Sequence, residues 1–276
     1  LPPSPKPANP RSLESFKFLK RGIDAKPLVD PTPVEIINLV TFGNFNQSRF
    51  FNTTRDDSYV TKRSKSVESA LSLLEANKTL LIHSRLGNGK TIFTSILARD
   101  ASDEGYKCYS WRRAGKRLAQ DLEVIREEGR ALIIFDDYDA AVDNIERVSA
   151  GVPDAKFAVT IRSGQQDVRL HEVLIKLPEP MKRLNLDIFA DEDKKQLHNL
   201  LDRAGARKDS FDDIITNARD IREIVINLYD HAQIRDKIRG SIEKAAGPLI
   251  RILALASLIK WAGVELDDSD LQELAD

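Results

Sequence analysis

Thr79-Leu80-Leu81-Ile82-His83-Ser84-Arg85-Leu86-Gly87-Asn88-Gly89-Lys90-Thr91 is the stretch on which the fold of this 276-residue chain turns. An apolar run of strand length ends in a glycine-bearing turn, and Ile92, Ile96 and Leu97 then recur at helical spacing. A strand, a turn closing on Gly-Lys-Thr and a helix together make a phosphate-binding loop: glycine lets backbone N–H groups approach phosphate, and the helix N-terminus favours an anion. The candidate ligand-side residues are Gly87, Asn88, Gly89, Lys90, Thr91 and Ile92. Gly89 permits close approach, Lys90 carries charge to the β/γ oxygens, and Thr91 offers a hydroxyl to Mg²⁺. Ser84 departs from the pattern Gly-x-x-x-x-Gly-Lys-Ser/Thr at its first glycine, so the loop must turn there without glycine's extra backbone freedom. The plain alternative is a strand, a turn and a helix with an exposed lysine.

A second acidic signal stands 46 residues beyond Lys90, where Leu132-Ile133-Ile134-Phe135-Asp136-Asp137 puts two carboxylates at the end of a buried strand. Asp136 is the candidate to hold Mg²⁺ and Asp137 the candidate to polarise an attacking water. Helix capping is the competing explanation, because Asp favours helix N-termini. Another strand ends Val159-Thr160-Ile161-Arg162, which places a cation where a γ-phosphate would sit. Farther on, Arg222 falls in the first turn of an amphipathic helix, where a cation opposes the helix dipole. Its partner is then an anion, whether phosphate, Asp220 or Glu223.

Around these landmarks, an apolar run at Lys78–His83 and β-like runs at Tyr106–Trp111, Ala131–Asp136, Lys156–Arg162 and Met181–Leu186 alternate with helical periodicity. That alternation predicts an α/β fold with five parallel strands flanked by helices. After Leu186 the pattern is helical: Asp191–Ala204, Phe211–Asn217, Ile221–Ala232 and Ile234–Ala245. Gly247-Pro248 then opens the apolar run Leu249–Trp261, about thirteen residues and short of the ~20 needed to span a bilayer. At the other end, eight of the twelve prolines fall within residues 1–33, which reads as a linker, followed by an apolar cluster from Val34 to Phe51 able to dock. The domain expectation is a linker and approach segment over 1–55, a core over 56–188, a helical domain over 189–246 and a further module from 247 to 276.

Composition narrows the rest. With 41% apolar and 31% charged residues the chain is globular, and a net charge of −1 advertises neither nucleic acid nor a basic partner. Residues 1–65 nevertheless hold eleven Lys/Arg against six Asp/Glu, and 260–276 hold one Lys against six acids. A single cysteine, Cys108, excludes an internal disulfide and points to a reducing, cytoplasmic setting; no membrane segment is expected. The four histidines are too scattered for a metal site. Because the chain opens with Leu1 and its one methionine is Met181, it reads as a piece of a longer polypeptide.

With these motifs, the sequence from about Tyr59 to Asp276 resembles the additional-strand class of P-loop NTPases, particularly the STAND branch and its AAA+ relatives. The resemblance implies a strand between the loop strand and the magnesium-motif strand, a place it gives to Tyr106–Trp111. Arg162 would then read the γ-phosphate, Tyr59-Val60 and Arg63 would form an adenine-side segment, and a helical lid and a winged helix would follow the sheet. STAND lids carry Gly-x-Pro, whereas Asp220-Ile221-Arg222 is more similar to the sensor-arginine helix of AAA+ proteins. The resemblance also implies ATP and ADP as ligands with Mg²⁺, slow hydrolysis, and homo-oligomerisation on activation. An N-terminal effector and a C-terminal sensor in the same longer chain belong to that plan, as in bacterial antiviral defence. Two other functions fit the same residues: a DNA-binding AAA+ initiator or loader, with Lys6, Arg11, Lys17, Lys20 and Arg21, or Arg112, Arg113, Lys116 and Arg117, as candidate phosphate contacts, and a degenerate scaffold that does not hydrolyse nucleotide.

Overall fold

The runs Thr79–Ser84, Ala131–Phe135 and Lys156–Arg162 become central strands because they are flanked by turns and rich in Leu, Ile, Val and Phe, which suit a sheet covered on both faces. In the computed structural model, residues 13–20, 30–53, 59–205 and 212–230 are described. The chain divides into two compact units, Leu1–Val225 and Ile226–Asp276, and nearly all described residues belong to the first. The helix expected over Ile234–Ala245, the module expected over 247–276 and the proline-rich residues 1–12 lie outside the described residues.

Strands β1 (Phe16–Leu19), β2 (Thr79–Ser84), β3 (Lys107–Trp111), β4 (Ala131–Phe135), β5 (Lys156–Arg162) and β6 (Met181–Asn185) form one sheet in the order β1-β3-β4-β5-β2-β6. The five expected strands are β2 to β6, and they pair parallel with one another. The sheet has six strands rather than five, because β1 pairs antiparallel with β3 and puts Phe16 opposite Trp111. This strand lies inside the span expected to be linker, so the core does not begin at residue 56. It covers an edge that would otherwise present unpaired N–H and C=O groups. A second correction concerns order: β5, not Tyr106–Trp111, stands between the loop strand β2 and the acid-bearing strand β4. Adjacency in sequence placed β3 there, whereas hydrogen bonding puts it on the far side of β4.

One sheet face, carrying Leu81, Tyr109, Ile133, Phe135, Phe157 and Val159, is packed by α5 (Leu118–Glu127), α6 (Tyr138–Gly151) and α8 (Leu170–Lys176) into the main apolar core. Phe135 and Phe157 are fully buried there and stack at 6.3 Å between ring centroids. Burying a side chain of that size stabilises by roughly 1.5–3 kcal/mol. The other face receives α4 (Lys90–Asp103), which packs on β1 to β4 and buries Phe93, Ile96, Leu97 and Ala98, with α3 (Ser64–Ala76) beside it. The approach segment docks as its apolar residues suggested: α1 (Pro33–Phe42) starts with a capping box between Thr32 and Glu35, and α2 (Gln47–Phe51) buries Phe50 and Phe51. Between β5 and β6 runs α7 (Ser163–Val168), and beyond the sheet come α9 (Asp191–Arg203), α10 (Asp212–Asn217) and α11 (Ile221–Asp230). Cys108 is buried in β3, where desolvation pushes its thiol up to about 12. Among the described residues, no helix is long and apolar enough to cross a membrane.

Candidate functional site

Parallel strands bring the carboxyl ends of β2, β4 and β5 to one sheet edge, the place where open α/β sheets receive ligands. The candidate phosphate loop leaves β2 here. Gly87 and Gly89 take φ of +90° and +75°, the left-handed region that glycine enters without a Cβ penalty. Ser84 needs no such freedom: among the described residues the only non-glycine with positive φ is Arg63. The serine supplies what glycine lacks, since its Oγ donates to the Arg85 carbonyl (3.1 Å) and accepts from Lys90 Nζ (3.3 Å).

Lys90 folds back across its own loop, donating to the carbonyls of Ser84 (3.1 Å) and Arg85 (3.3 Å). Burial pushes its ammonium down from the ordinary lysine range, Arg162 adds to that, and Asp187, Asp136 and Asp137 oppose it. All four groups thus act electrostatically on this one amine. Arg162 ends β5 in register with Ser84 and is exposed.

The two acids after β4 divide the roles that the sequence left open. Asp136 accepts from Thr94 Oγ1 at 3.3 Å, and its carboxyl is pushed up by burial, with hydrogen bonds from Thr91 and Thr94 opposing. Asp137 is exposed and caps α6, its Oδ1 accepting the Asp139 N–H at 3.1 Å. Capping therefore falls to Asp137 and leaves Asp136 beside the α4 hydroxyls. No group of three or more His, Cys, Asp or Glu is poised for a metal among the described residues. Mg²⁺ fits this site all the same, because it is commonly held by one or two protein oxygens together with phosphate and water, and Thr91 and Asp136 offer such oxygens.

Behind the loop is a brace that the sequence did not disclose. Asp187, just past β6, accepts the Arg85 N–H (2.8 Å) and Asn88 Nδ2 (2.7 Å) through Oδ1. An acid at the carboxyl end of a parallel strand is a legible signal, but the edge position of β6 shows only in the topology. Arg63, expected on the adenine side, is instead 3% exposed and reaches three main-chain carbonyls: Asn88 (3.3 Å), Leu186 (2.8 Å) and Ile188 (2.6 Å). Tyr59 is buried too; its hydroxyl accepts from the Asn46 N–H (3.2 Å) and its ring stacks on Phe45. Both side chains serve the packing of this segment. Arg222 does reach the loop: its N–H donates to Asn88 Oδ1 (3.0 Å), and its Cγ would lie 3.7 Å from a Cβ placed on Gly87. Neither suggested acid pairs with its side chain. Asp220 accepts the Glu223 N–H and lies 3.7 Å from Arg85, while Glu223 accepts the Arg219 N–H. Ile92 sits in the first turn of α4 near Gly89 and Ile221.

No family model and no curated protein matches the chain. Among solved structures it is similar to a HORMA:CdnC:Trip13 complex of E. coli MS115-1 (12% identity, TM-score 0.32, over 55% of this chain and 65% of that one). It is also similar to a DNA replication initiation factor (17%, 0.35, over 78% and 77%) and to AMPPCP-bound DnaA from Aquifex aeolicus (14%, 0.38, over 84% and 80%). The chain thus spans just under two thirds of the first of these proteins.

Proposed function

We propose that the chain is a Mg²⁺-dependent nucleotide-binding module that hydrolyses ATP slowly, with Lys90 as its central cation. The observation that carries this reading is the convergence on Lys90 Nζ of a glycine-turned loop, a half-buried Asp136 and a strand-end Arg162. On nucleotide arrival, Lys90 exchanges its two loop carbonyls for β/γ oxygens, and Gly87 to Thr91 present backbone N–H groups. Thr91 and Asp136 would hold Mg²⁺, which supplies charge neutralisation on the phosphates. Arg162 meets the charge on the γ-phosphoryl group. Asp137 keeps Oδ2 to accept a proton from the attacking water while Oδ1 caps α6.

Calorimetric titration with ATP, ADP and GTP in Mg²⁺, after any co-purifying nucleotide is removed, tests the reading. Saturable adenine-nucleotide binding supports it, and a folded, empty protein that binds none is the degenerate scaffold. The family resemblance extends the proposal to a switch that assembles into homo-oligomers when ATP replaces ADP, with α9 to α11 as its lid.

Asp137→Asn isolates hydrolysis. Asn caps a helix as well as Asp does, so α6 and nucleotide affinity are kept. Loss of the carboxylate lowers single-turnover hydrolysis by ~100-fold or more, the usual contribution of a positioned base. Unchanged turnover would reduce Asp137 to a cap.

A second reading, a DNA-binding ATPase, is favoured by one observation. The β3–α5 loop, on the same sheet edge as the phosphate loop, exposes Arg112, Arg113, Lys116 and Arg117 with no ion pair among the described residues. The loop is ordered by the N-terminal segment: Glu14 accepts the N–H groups of Lys116 (3.3 Å) and Arg117 (3.2 Å), and Ser15 accepts those of Arg112 and Gly115. Duplex-DNA binding that weakens steeply with salt, with a slope reduced in the four-alanine variant, selects this reading. No binding at low salt removes it.

A further inference from the structure

Asn88 is 1% exposed although Arg85, Leu86 and Gly87 before it are all exposed. Three separate parts of the molecule use its polar groups. Nδ2 donates to Asp187 after β6, the main-chain carbonyl accepts from Arg63 ahead of α3, and Oδ1 accepts the N–H of Arg222 in α11. The last bond is the informative one. The opening N–H groups of a helix have no acceptor within it, and each needs a partner from elsewhere. In α11, Asp220 takes the Glu223 N–H at 2.8 Å, as a capping residue does. The Arg222 N–H goes instead to the phosphate loop. Contacts around it are close: Ile221 Cδ1 would stand 3.9 Å from a Cβ on Gly89, and Arg222 Cγ 3.7 Å from one on Gly87. The Arg85–Asp220 ion pair bridges the same two segments, but at 3.7 Å with Arg85 62% exposed it contributes little.

We infer that Asn88 is a positioning residue that couples the phosphate loop to α11, fixing where Arg222 stands over the loop. It rests on the nucleotide-binding reading for the ligand, though not for the latch itself. One of the side chains that satisfies the first turn of α11 belongs to the loop that would wrap the phosphates. Any change of loop conformation on binding is therefore felt at the first turn of α11. By linkage, whatever loosens that turn changes ligand affinity by the same factor.

Asn88→Ala removes both side-chain bonds. Asn88→Asp replaces the donor to Asp187 with a carboxylate that repels it, but keeps an oxygen for the Arg222 N–H, where a carboxylate at a helix N-terminus is favourable. Hydrogen exchange is read at the Arg222 amide without and with ATP and Mg²⁺, beside calorimetric affinities and a check of cooperative unfolding. In nucleotide-free protein, Asn88→Ala is expected to speed exchange at Arg222 about 3- to 10-fold, the loss of one ordinary hydrogen bond, whereas Asn88→Asp leaves it protected. In the wild type, bound ATP slows exchange at Arg222 more than at Leu200 in α9. Equal Arg222 exchange in Asn88→Ala and wild type overturns the latch. Wild-type binding of ATP with no change at Arg222 overturns the coupling, and that measurement stands even if Asn88→Ala does not fold. Failure of the wild type to bind nucleotide defeats the nucleotide reading, and the latch is then decided by the nucleotide-free exchange alone.

Discussion

Lys90→Ala is expected to weaken ATP binding about 100-fold or more in calorimetric titration, with the unfolding transition nearly unchanged. The two halves of this expectation have different causes. A charge-assisted hydrogen bond to phosphate contributes roughly 1.5–3 kcal/mol, and Lys90 is placed to make more than one. Its amine is also partly desolvated, with burial already pushing it down from the ordinary range, so a phosphate replaces lost hydration rather than competing with it. In the folded protein, by contrast, Lys90 bonds, among the described residues, the Ser84 and Arg85 carbonyls and the Ser84 hydroxyl. Arg85 is exposed, so water takes over at its carbonyl when the amine is gone. Retained affinity in a folded Lys90→Ala protein would sink the nucleotide reading. Lys90→Arg is expected to bind poorly as well, because a planar fork does not fill the place of a compact ammonium.

The largest effect on stability is expected from Arg63→Ala, about 3 kcal/mol, read as a fall in the unfolding midpoint of roughly 6–12 °C. Arg63 bonds three carbonyls from two segments and is almost inaccessible to solvent. Truncation leaves the Asn88 and Leu186 carbonyls unpaired in the interior, a larger penalty than the net worth of their bonds. Alanine inherits the same left-handed backbone at φ 52°, so backbone strain cancels in the comparison. The loss also has a pH signature. Burial holds the Asp193 carboxyl above its ordinary range, and Arg63 is the largest influence opposing that rise. Without Arg63 this carboxyl rises further. A group whose folded value exceeds its unfolded one favours the folded state at low pH, and that contribution is lost as pH climbs through the folded value. The deficit of Arg63→Ala is therefore smaller at acidic pH than above neutrality. Loss of nucleotide affinity without loss of stability would instead make Arg63 a ligand contact, as the family resemblance implied.

Strongly periodic, locally bounded features were legible before the structure. Leu132 to Phe135 read as a buried strand, Gly87 to Thr91 as a turn opening a helix, and Asp191 to Ala204 as an amphipathic helix, and each of these elements is present. What escaped depended on partners remote in sequence. Phe16–Leu19 is four residues long, and its pairing partner β3 lies some ninety residues away, so nothing local marks it as a strand. Arg63 gave no sign that its charge would be buried against carbonyls beyond β6, and Asp187 gains its place only when β6 pairs with β2. The missing first glycine looked like a defect until Ser84 proved to need no special backbone angle. Asp136 and Asp137 are neighbours of equal chemistry, and only the start of α6 tells them apart.

The antiparallel strand at the sheet's margin bears on how the molecule can be cut. A fragment beginning at residue 56 would keep every motif residue and still strip β1 from β3, leaving Cys108 to Trp111 as a bare, apolar margin. Such a margin recruits other chains by strand addition, so that fragment would clump for reasons unrelated to its chemistry. Glu14 and Ser15 leave with the same cut, and the basic β3–α5 loop loses the residues that shape it. A fragment that keeps β1 and these loop contacts therefore starts no later than Leu13.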